Sequence, residues 1–436
     1  MPKRERLFNK GFLALVITQL FGAVNDSVLK QILILAVASG GIWQSQFGEG
    51  GQGYVALCLT IPFILFSGIA GQLADRISKR KITIAAKIVE IGIAMVALGA
   101  FLAGNLWAGL AALILLAIQS AFFGPAKYGM IPELVTDGNL SQANAAINMF
   151  TNLAVIGGSL FAGTIYQTYA TGFPGDDPNA GIDSSLLWIP GIIFVVIALI
   201  GLIPSLFLPK LKSFNTNLKI DFNPFRPYVI ALKEMSHSSL LTVALAWSFF
   251  YLIGMIALLL IPDFAGEDLL NISAEKNNLL IGVLAISIGL GSIVAGLISG
   301  KHIEPRLIPA GAIGMTICLS LIGLVPVQFN TIAALIGGAG FFSGFYIVPL
   351  QALLQRLAPP GERGRFLGTA NALSFVFSSI GALLVPVMLG EHLMHLPANR
   401  AFLVCGAIST LGTGILLWRI RELIADPKLR KATPLT

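Results

Sequence analysis

The chain alternates between long apolar segments and short polar loops along nearly its whole length. A helix needs about 20 consecutive apolar residues to cross the hydrocarbon core of a bilayer. The pattern predicts twelve membrane-spanning helices, near residues 11–38, 54–74, 82–103, 106–127, 143–170, 186–208, 239–262, 278–300, 308–326, 331–355, 366–390 and 399–420.

Lysine and arginine are distributed unequally between the predicted loops. Every second loop is rich in them, and the loops between are nearly free of them. Of the 28 lysines and arginines, only Lys276 and Arg400 fall in loops that the predicted twelve-helix topology places outside the membrane. Positively charged loops are retained in the cytoplasm. Both termini are therefore predicted to be cytoplasmic.

The composition supports a membrane protein. The chain is 56% hydrophobic and 11% charged, with a mean hydropathy of +0.83. A soluble domain carries about 25% charged residues, so lipid is the expected solvent for the excess apolar surface. The net charge of +7 does not indicate a nucleic-acid partner, because the positive charges lie in loops that flank the membrane.

Short motifs recur in the two halves of the chain. The run Phe122–Gly124 matches Phe341–Ser343, and Asn144 matches Asn371. The offsets of 219 and 227 residues are about half of the 436-residue chain. A parallel repeat of two six-helix halves is the construction of major facilitator transporters. The predicted fold is therefore an all-α integral membrane protein with two six-helix bundles related by a pseudo-two-fold axis.

The predicted domain boundaries follow the charge pattern. They give an N-terminal six-helix bundle over 1–208, a cytoplasmic linker over 209–237, a C-terminal six-helix bundle over 238–421 and a cytoplasmic tail over 422–436.

The run from Gly71 to Lys81, between the second and third spans, resembles the loop signature G-x-L-A-D-R-x-G-R-R/K of major facilitator transporters, with Ser78 in place of the second glycine. Glycine allows two helices to approach closely, and an aspartate can pair with a neighbouring helix N-terminus. We expect a gating role in the outward-open state. The alternative is a basic loop that only fixes topology. The candidate gating residues are Gly71, Asp75, Arg76 and Arg80.

Ionisable residues inside spans are costly and mark functional sites by default. In the first span, four residues share one helix face, because they recur at steps of three or four residues: Gln19, Gly22, Asp26 and Lys30. Lys127 lies at the predicted end of the fourth span. Lys87 and Glu90 are one turn apart near the cytoplasmic end of the third span, where a structural ion pair is the favoured interpretation.

The predicted spans of the second half carry only mild polar groups: Ser248, Tyr251, Ser287, Tyr346, Gln351, Asn371 and Ser374. A central cavity would then have one charged wall and one apolar wall. Such a cavity suits an amphipathic substrate with its polar head on the first half. The alternative is that a mildly polar wall serves any small solute.

The sequence gives no sign of an enzyme or of a cofactor. It contains no glycine-rich phosphate loop, no histidine cluster with metal-ligand spacing and no nucleophile–base set. The loop 172–185 contains Asp176, Asp177 and Asp183, but an acidic loop rich in Pro and Gly is more typical of a solvated segment than of a cation site.

Several longer runs resemble the bacterial lysophospholipid transporter branch of the major facilitator superfamily. They are Phe21–Asp26, Gly71–Asp75, Pro125–Gly129 followed by Glu133–Leu134, Phe342–Gln355 and Gly368–Ala372. This resemblance implies transport of lysophospholipids, chiefly lysophosphatidylethanolamine, from the outer to the inner leaflet for re-acylation. It also implies a bacterial inner-membrane location, membrane lipids as surroundings, and a cytoplasmic acyltransferase as a partner.

One departure from the family concerns the seventh span. The family carries an arginine there, whereas Gly254 stands at about that position in this chain. Lys30 is the residue expected to replace it across the cavity. The predicted substrate-binding residues are Asp26, Lys30, Asn25, Lys127, Tyr128, Tyr251, Tyr346, Gln351 and Asn371.

Two other functions stay open from the sequence. A proton- or sodium-coupled exporter of drugs or other small amphiphiles would use Asp26 as its coupling carboxylate. A non-transporting sensor or scaffold could share the same fold, because the fold alone does not fix the function.

Overall fold

The computed structural model describes residues 7–37, 41–47, 51–173, 185–213, 215–261, 274–300, 302–389 and 394–425. Over these ranges the regular structure is entirely helical. The helices are α1 (Lys10–Val37), α2 (Gln44–Phe47), α3 (Gly51–Arg76), α4 (Lys79–Leu102), α5 (Leu106–Leu134), α6 (Leu140–Ala170), α7 (Ile189–Leu206), α8 (Arg226–Met235), α9 (Ser239–Leu260), α10 (Ala274–Ser299), α11 (Leu307–Ile322), α12 (Phe329–Leu357), α13 (Arg363–Leu389) and α14 (Ala398–Ala425), with a 3₁₀ turn at Asp137–Asn139.

Eleven helices in the described part of the chain are long and apolar enough to cross a membrane. The shorter apolar helix α11 corresponds to the ninth predicted span. The predicted count of twelve is therefore close to the structure. Large apolar side chains on the outer surface, such as Leu160, Leu383 and Leu411, are about 70% exposed, as expected for residues that contact lipid. The protein is a multi-pass membrane protein.

The fourth predicted span ends too early. It was expected to stop near residue 127, but α5 continues to Leu134 through Pro125 and Pro132. Proline is tolerated inside spanning helices because neighbouring groups satisfy the freed backbone carbonyls. Lys127 consequently lies seven residues inside α5 rather than at its end.

The helices pack as two bundles, with α1 and α3–α7 in the first and α9–α14 in the second. The main contacts between the bundles are α3 with α13 and α6 with α10. One apolar cluster joins both bundles and includes Phe12, Leu134, Met235 and Leu353. It lies towards the end of the molecule that carries Arg76, Arg363 and the segment 215–235, and we call this end the linker face.

The segment that connects the bundles contains the short helix α8, which the sequence pattern did not predict. The side chain of Asn223 accepts backbone N–H groups of Phe225 and Arg226, each at 3.0 Å, and Pro227 lies in the first turn. Both features are common at helix starts. The helix therefore begins at a well-defined point inside the predicted linker. The predicted domain boundaries themselves stay a prediction.

Candidate functional site

A cavity of about 200 Å³ lies between the two bundles. Its walls come from α1, α3, α4 and α5 on one side and from α9 and α13 on the other. The polar and charged residues that line it from the first bundle are Gln19, Asp26, Lys87, Glu90, Gln119, Ser120, Lys127 and Tyr128.

Asp26 faces the cavity from α1. The hydroxyl of Ser120, on α5, donates a hydrogen bond to its carboxylate at 3.1 Å, and the same hydroxyl is 3.1 Å from the amide oxygen of Gln119. These neutral neighbours hold the carboxylate in place but do not cancel its charge. Asp26 therefore offers a carboxyl group to anything that enters the cavity.

Lys87 and Glu90 form an ion pair of 2.6 Å on α4, and the side chains are 1% and 2% exposed. Asn25 donates to the second carboxylate oxygen of Glu90 at 3.0 Å. The expected ion pair is present, and both residues also line the cavity. The lysine fits there because Gly22 has no side chain. A Cβ atom at that position would lie only 2.6 Å from the Lys87 ammonium.

Lys127 lies on α5 beside two aromatic rings. Its ammonium is 4.4 Å from the centre of the Tyr128 ring and 5.9 Å from that of Phe123. No salt bridge reaches this ammonium from the carboxylates that the structure describes. A cation over an aromatic face is stabilised without being neutralised. Lys127 is therefore a lining cation with no salt-bridge partner among the described residues.

The second bundle contributes a wall with no charged residue among those described. Its lining residues are Tyr251, Asn371, Ser374, Phe375 and Ser378. Phe375 stacks on Phe63 of α3, with ring centres 4.1 Å apart. The amide of Asn371 donates to the Ser67 hydroxyl at 3.2 Å. The two walls differ in charge as the sequence pattern predicted.

Four residues predicted to bind substrate do not line the cavity. Tyr346 is buried and donates to the Ala246 carbonyl at 2.9 Å, Asn25 bonds Glu90, and Gln351 accepts from Asn148 at 2.9 Å. The fourth, Lys30, is half-buried one turn beyond Asp26 on α1. In this structure the first three join helices to one another. Their proposed contact with substrate stays a prediction.

Two pairs of amides join the bundles across α6 and α12. Asn144 and Gln355 donate to each other's amide oxygens, both at 2.8 Å, and both are almost completely buried. Asn148 and Gln351 form a second bond one turn along. The repeat singled out Asn144, but its partner could not be identified without the packing of the two bundles.

The candidate gating residues lie where α3 meets the start of α13, on the linker face. A Cβ atom on Gly71 would lie 2.5 Å from the carbonyl oxygen of Gly364. The Asp75 carboxylate accepts the backbone N–H groups of Gly364 at 2.6 Å and of Arg365 at 2.8 Å. A carboxylate at a helix N-terminus interacts favourably with the helix dipole. The two bundles are thus closed against each other at this face.

The basic residues of the motif are placed differently from Asp75. Arg80 donates to the carbonyls of Leu208 at 2.7 Å and Leu206 at 3.1 Å, so it caps the end of α7 within the first bundle. Arg76 is exposed. Of the four candidate gating residues, Gly71 and Asp75 contact the second bundle.

Curated relatives match the chain over most of its length. It is 26% identical to the lysophospholipid transporter LplT of Cronobacter sakazakii, a match that covers 95% of this chain and 98% of the relative. It is also 26% identical to the lysophospholipid transporter LplT of Photorhabdus laumondii, with 95% and 94% covered.

Solved structures show the same fold at low identity. The Major Facilitator Superfamily transporter FucP, in the outward conformation, superposes with a TM-score of 0.73 at 13% identity, covering 94% of this chain and 99% of FucP. The human organic anion transporter MFSD10 superposes with a TM-score of 0.72 at 14% identity, covering 93% and 99%. The Major Facilitator Superfamily model matches residues 11–382 and 254–435, and the chain belongs to that superfamily.

Proposed function

We propose that this protein is an alternating-access transporter of lysophospholipids in a bacterial inner membrane. The linker face and both termini would be cytoplasmic, and lysophospholipid would move towards the cytoplasmic leaflet. The relatives that match over almost the full chain carry the name lysophospholipid transporter. The superfamily fold supplies the two bundles that alternating access requires.

The observation that carries the proposal is the unequal cavity. Asp26 and Lys127 stand unpaired with each other on the first wall, whereas Lys87 and Glu90 neutralise one another. The formal charges of the described lining residues therefore cancel. A zwitterionic head group matches this arrangement better than a sugar or an ion of one sign, because each of its charges meets an opposite one.

The proposed contacts follow from the charges. Asp26 would bind the ammonium of the head group, and Lys127 would bind its phosphate. Lys30 would be a second cation for the phosphate at another stage of the cycle. Tyr128, Tyr251 and Asn371 would border the head group, and the acyl chain would lie along the wall of the second bundle.

In the proposed cycle, Asp75 and Gly71 hold the state described by the structure. If the linker face is cytoplasmic, this state is closed to the cytoplasm, which is the arrangement that loads substrate from the outer leaflet. The transport step itself breaks no covalent bond of the substrate. A cytoplasmic acyltransferase that re-acylates the delivered lysophospholipid is the proposed partner.

The test is transport of labelled lysophosphatidylethanolamine in proteoliposomes. Lys127→Ala should abolish transport, and Lys127→Arg should retain part of it because the positive charge remains. Arg400→Ala removes an exposed basic residue outside the cavity and outside the gating motif, and it serves as the matched control. Full transport by Lys127→Ala, or strong binding of a soluble sugar in place of lipid, would overturn the proposal.

A coupled exporter is the second candidate function. It is favoured by one observation: among the described residues, Asp26 is held by a hydroxyl and by no ion pair, so it is free to exchange a cation. In that case Asp26→Asn would remove the pH or sodium dependence of transport and spare substrate binding. If Asp26→Asn instead abolishes binding of the lysophospholipid, the carboxylate acts on the head group.

A further inference from the structure

The outer face of α8 combines exposed apolar and basic side chains. Val229 and Ile230 are 64% and 39% exposed. Arg226 and Lys233 are exposed on the same face, since positions three and four apart are neighbours on a helix. The opposite face is buried by Pro227, Ala231 and Met235. An exposed apolar patch rimmed by polar residues usually marks an interaction surface.

The segment just before α8 extends this surface. Phe222 and Phe225 are 75% and 58% exposed. Two aromatic rings that project from the protein next to basic residues are typical of a segment that lies in the membrane interface.

The depth of α8 is fixed by its contact with α3. The hydroxyl of Tyr228 donates to the Ile64 carbonyl at 2.6 Å and accepts the Gly68 N–H at 2.8 Å. Burial raises the pKa of Tyr228 to about 12, so the hydroxyl keeps the proton that it donates. Gly68 lies eight residues before Arg76, or about 12 Å along the helix. The helix α8 therefore lies beside the spanning part of α3 and not beyond its end.

The charge of the linker indicates the kind of partner. Its basic residues are all exposed: Lys210, Lys212, Lys219, Arg226 and Lys233. Its two acidic residues are already engaged. Asp221 pairs with Arg226 at 3.4 Å, and Glu234 forms an ion pair with Arg365 of α13. The surface is thus positive, apolar in its centre, and at the level of lipid head groups.

We propose that residues 222–233 form a binding surface for anionic phospholipids in the leaflet at the linker face. Phe222, Phe225, Val229 and Ile230 insert between the lipids, and Arg226 and Lys233 bind their phosphates. The occupant is a membrane surface and not a soluble protein, because the anchor to α3 places this surface beside the end of a spanning helix, at the level of the lipid head groups. The inference holds whatever the cavity carries.

The segment around α8 also contacts both helices that meet at the closed linker face, α3 and α13. Asp221 and Gln72 of α3 exchange two hydrogen bonds, at 2.9 and 3.2 Å, while Glu234 binds α13. Lipid bound to α8 would hold α3 and α13 together. Anionic lipid is therefore expected to favour closure of the linker face.

The experiment compares the purified full chain in nanodiscs of phosphatidylcholine alone and of phosphatidylcholine with one-third phosphatidylglycerol. Amide hydrogen exchange is followed in peptides that cover 215–235. A basic residue at an anionic surface changes the binding constant by about five-fold. We expect exchange to slow by at least about that factor with phosphatidylglycerol, and less so in high salt.

The double variant Arg226→Gln/Lys233→Gln should remove the effect of phosphatidylglycerol. Lys81→Gln/Arg306→Gln removes the same charge from exposed sites outside the linker and should keep it. Phe225→Ser should speed exchange in both lipids, because it removes an apolar contact. Equal exchange in the two lipids, an equal effect of both double variants, or slowing only when a soluble protein is added would overturn the proposal.

Discussion

Asp75 at the end of α3 and Gly364 at the start of α13 are joined across the two bundles by a hydrogen bond of 2.6 Å, with the Gly364 N–H donating. The carboxylate also faces the positive end of the α13 dipole. Closure at the linker face therefore depends on a charge on one bundle and a helix terminus on the other.

Asp75→Asn should weaken this closure. A carboxylate at a helix N-terminus contributes about 0.3–2 kcal/mol, so the ratio of closed to open molecules should fall by a factor of about 2 to 30. Electron paramagnetic resonance distances between labels at Ile77 and Gly361, which flank the contact, measure that ratio. Glu304→Gln removes a carboxylate at a different loop and should leave the distances unchanged. An unaltered distribution in Asp75→Asn would contradict the gating role.

Gly71→Ala should also open the linker face, by a steric route. Its new methyl group would lie 2.5 Å from the Gly364 carbonyl, so the helices must separate. A loss of about 1.4 kcal/mol lowers the ratio of closed to open molecules ten-fold. We therefore expect transport to be at least about ten-fold slower. Gly92→Ala places a methyl group where no atom lies within 4 Å and is the matched control. Wild-type transport by Gly71→Ala would show that the contact can relax.

Lys87→Met should destabilise the fold strongly, because it leaves the carboxylate of Glu90 buried without its partner. Breaking a buried ion pair in this way costs about 3–5 kcal/mol. Adding Glu90→Gln removes the stranded charge and keeps an acceptor for Asn25, so most of the stability should return. Thermal unfolding of the purified single and double variants measures both effects. A double variant as unstable as the single one would show that the pair is not the cause.

The same double variant tests whether the pair has a second role. A purely structural pair would leave transport intact once stability has returned. Loss of transport in the stable double variant would indicate that the pair acts on the substrate in the cavity that it lines.

Tyr228→Phe should loosen α8 without changing its outer face. It removes a hydrogen bond to the Ile64 carbonyl and another from the Gly68 N–H. Each such bond contributes about 1 kcal/mol, so amides in 226–235 should exchange about five- to thirty-fold faster. Tyr54→Phe changes a tyrosine that is 53% exposed and should have no effect there. Unchanged exchange in Tyr228→Phe would mean that apolar packing alone positions α8.

The spans could be predicted from the sequence because lipid imposes one rule on every segment that crosses it. The contrast between the cavity walls was also predictable, since charged residues such as Asp26 and Lys127 are costly in hydrocarbon and therefore point inward. Both inferences depend on local composition.

Contacts between distant helices could not be predicted in this way. Lys87 reaches the cavity because Gly22 and Gly201, on two other helices, leave room for its side chain. The helix α8 is too short and too weakly apolar for a hydropathy pattern to mark it. Its position depends on the Tyr228 hydroxyl and on a glycine 160 residues away.

The reciprocal amide pair of Asn144 and Gln355 is a second contact that holds the linker face closed, and it differs in kind from the carboxylate contact of Asp75. Neutral dipoles separate without exposing an unbalanced charge. The contact at Asp75 depends on a formal charge that is 2% exposed, whereas the amide contact carries none. Neutralising Asp75 should therefore loosen one edge of the closed face before the other, so that the bundles part by tilting.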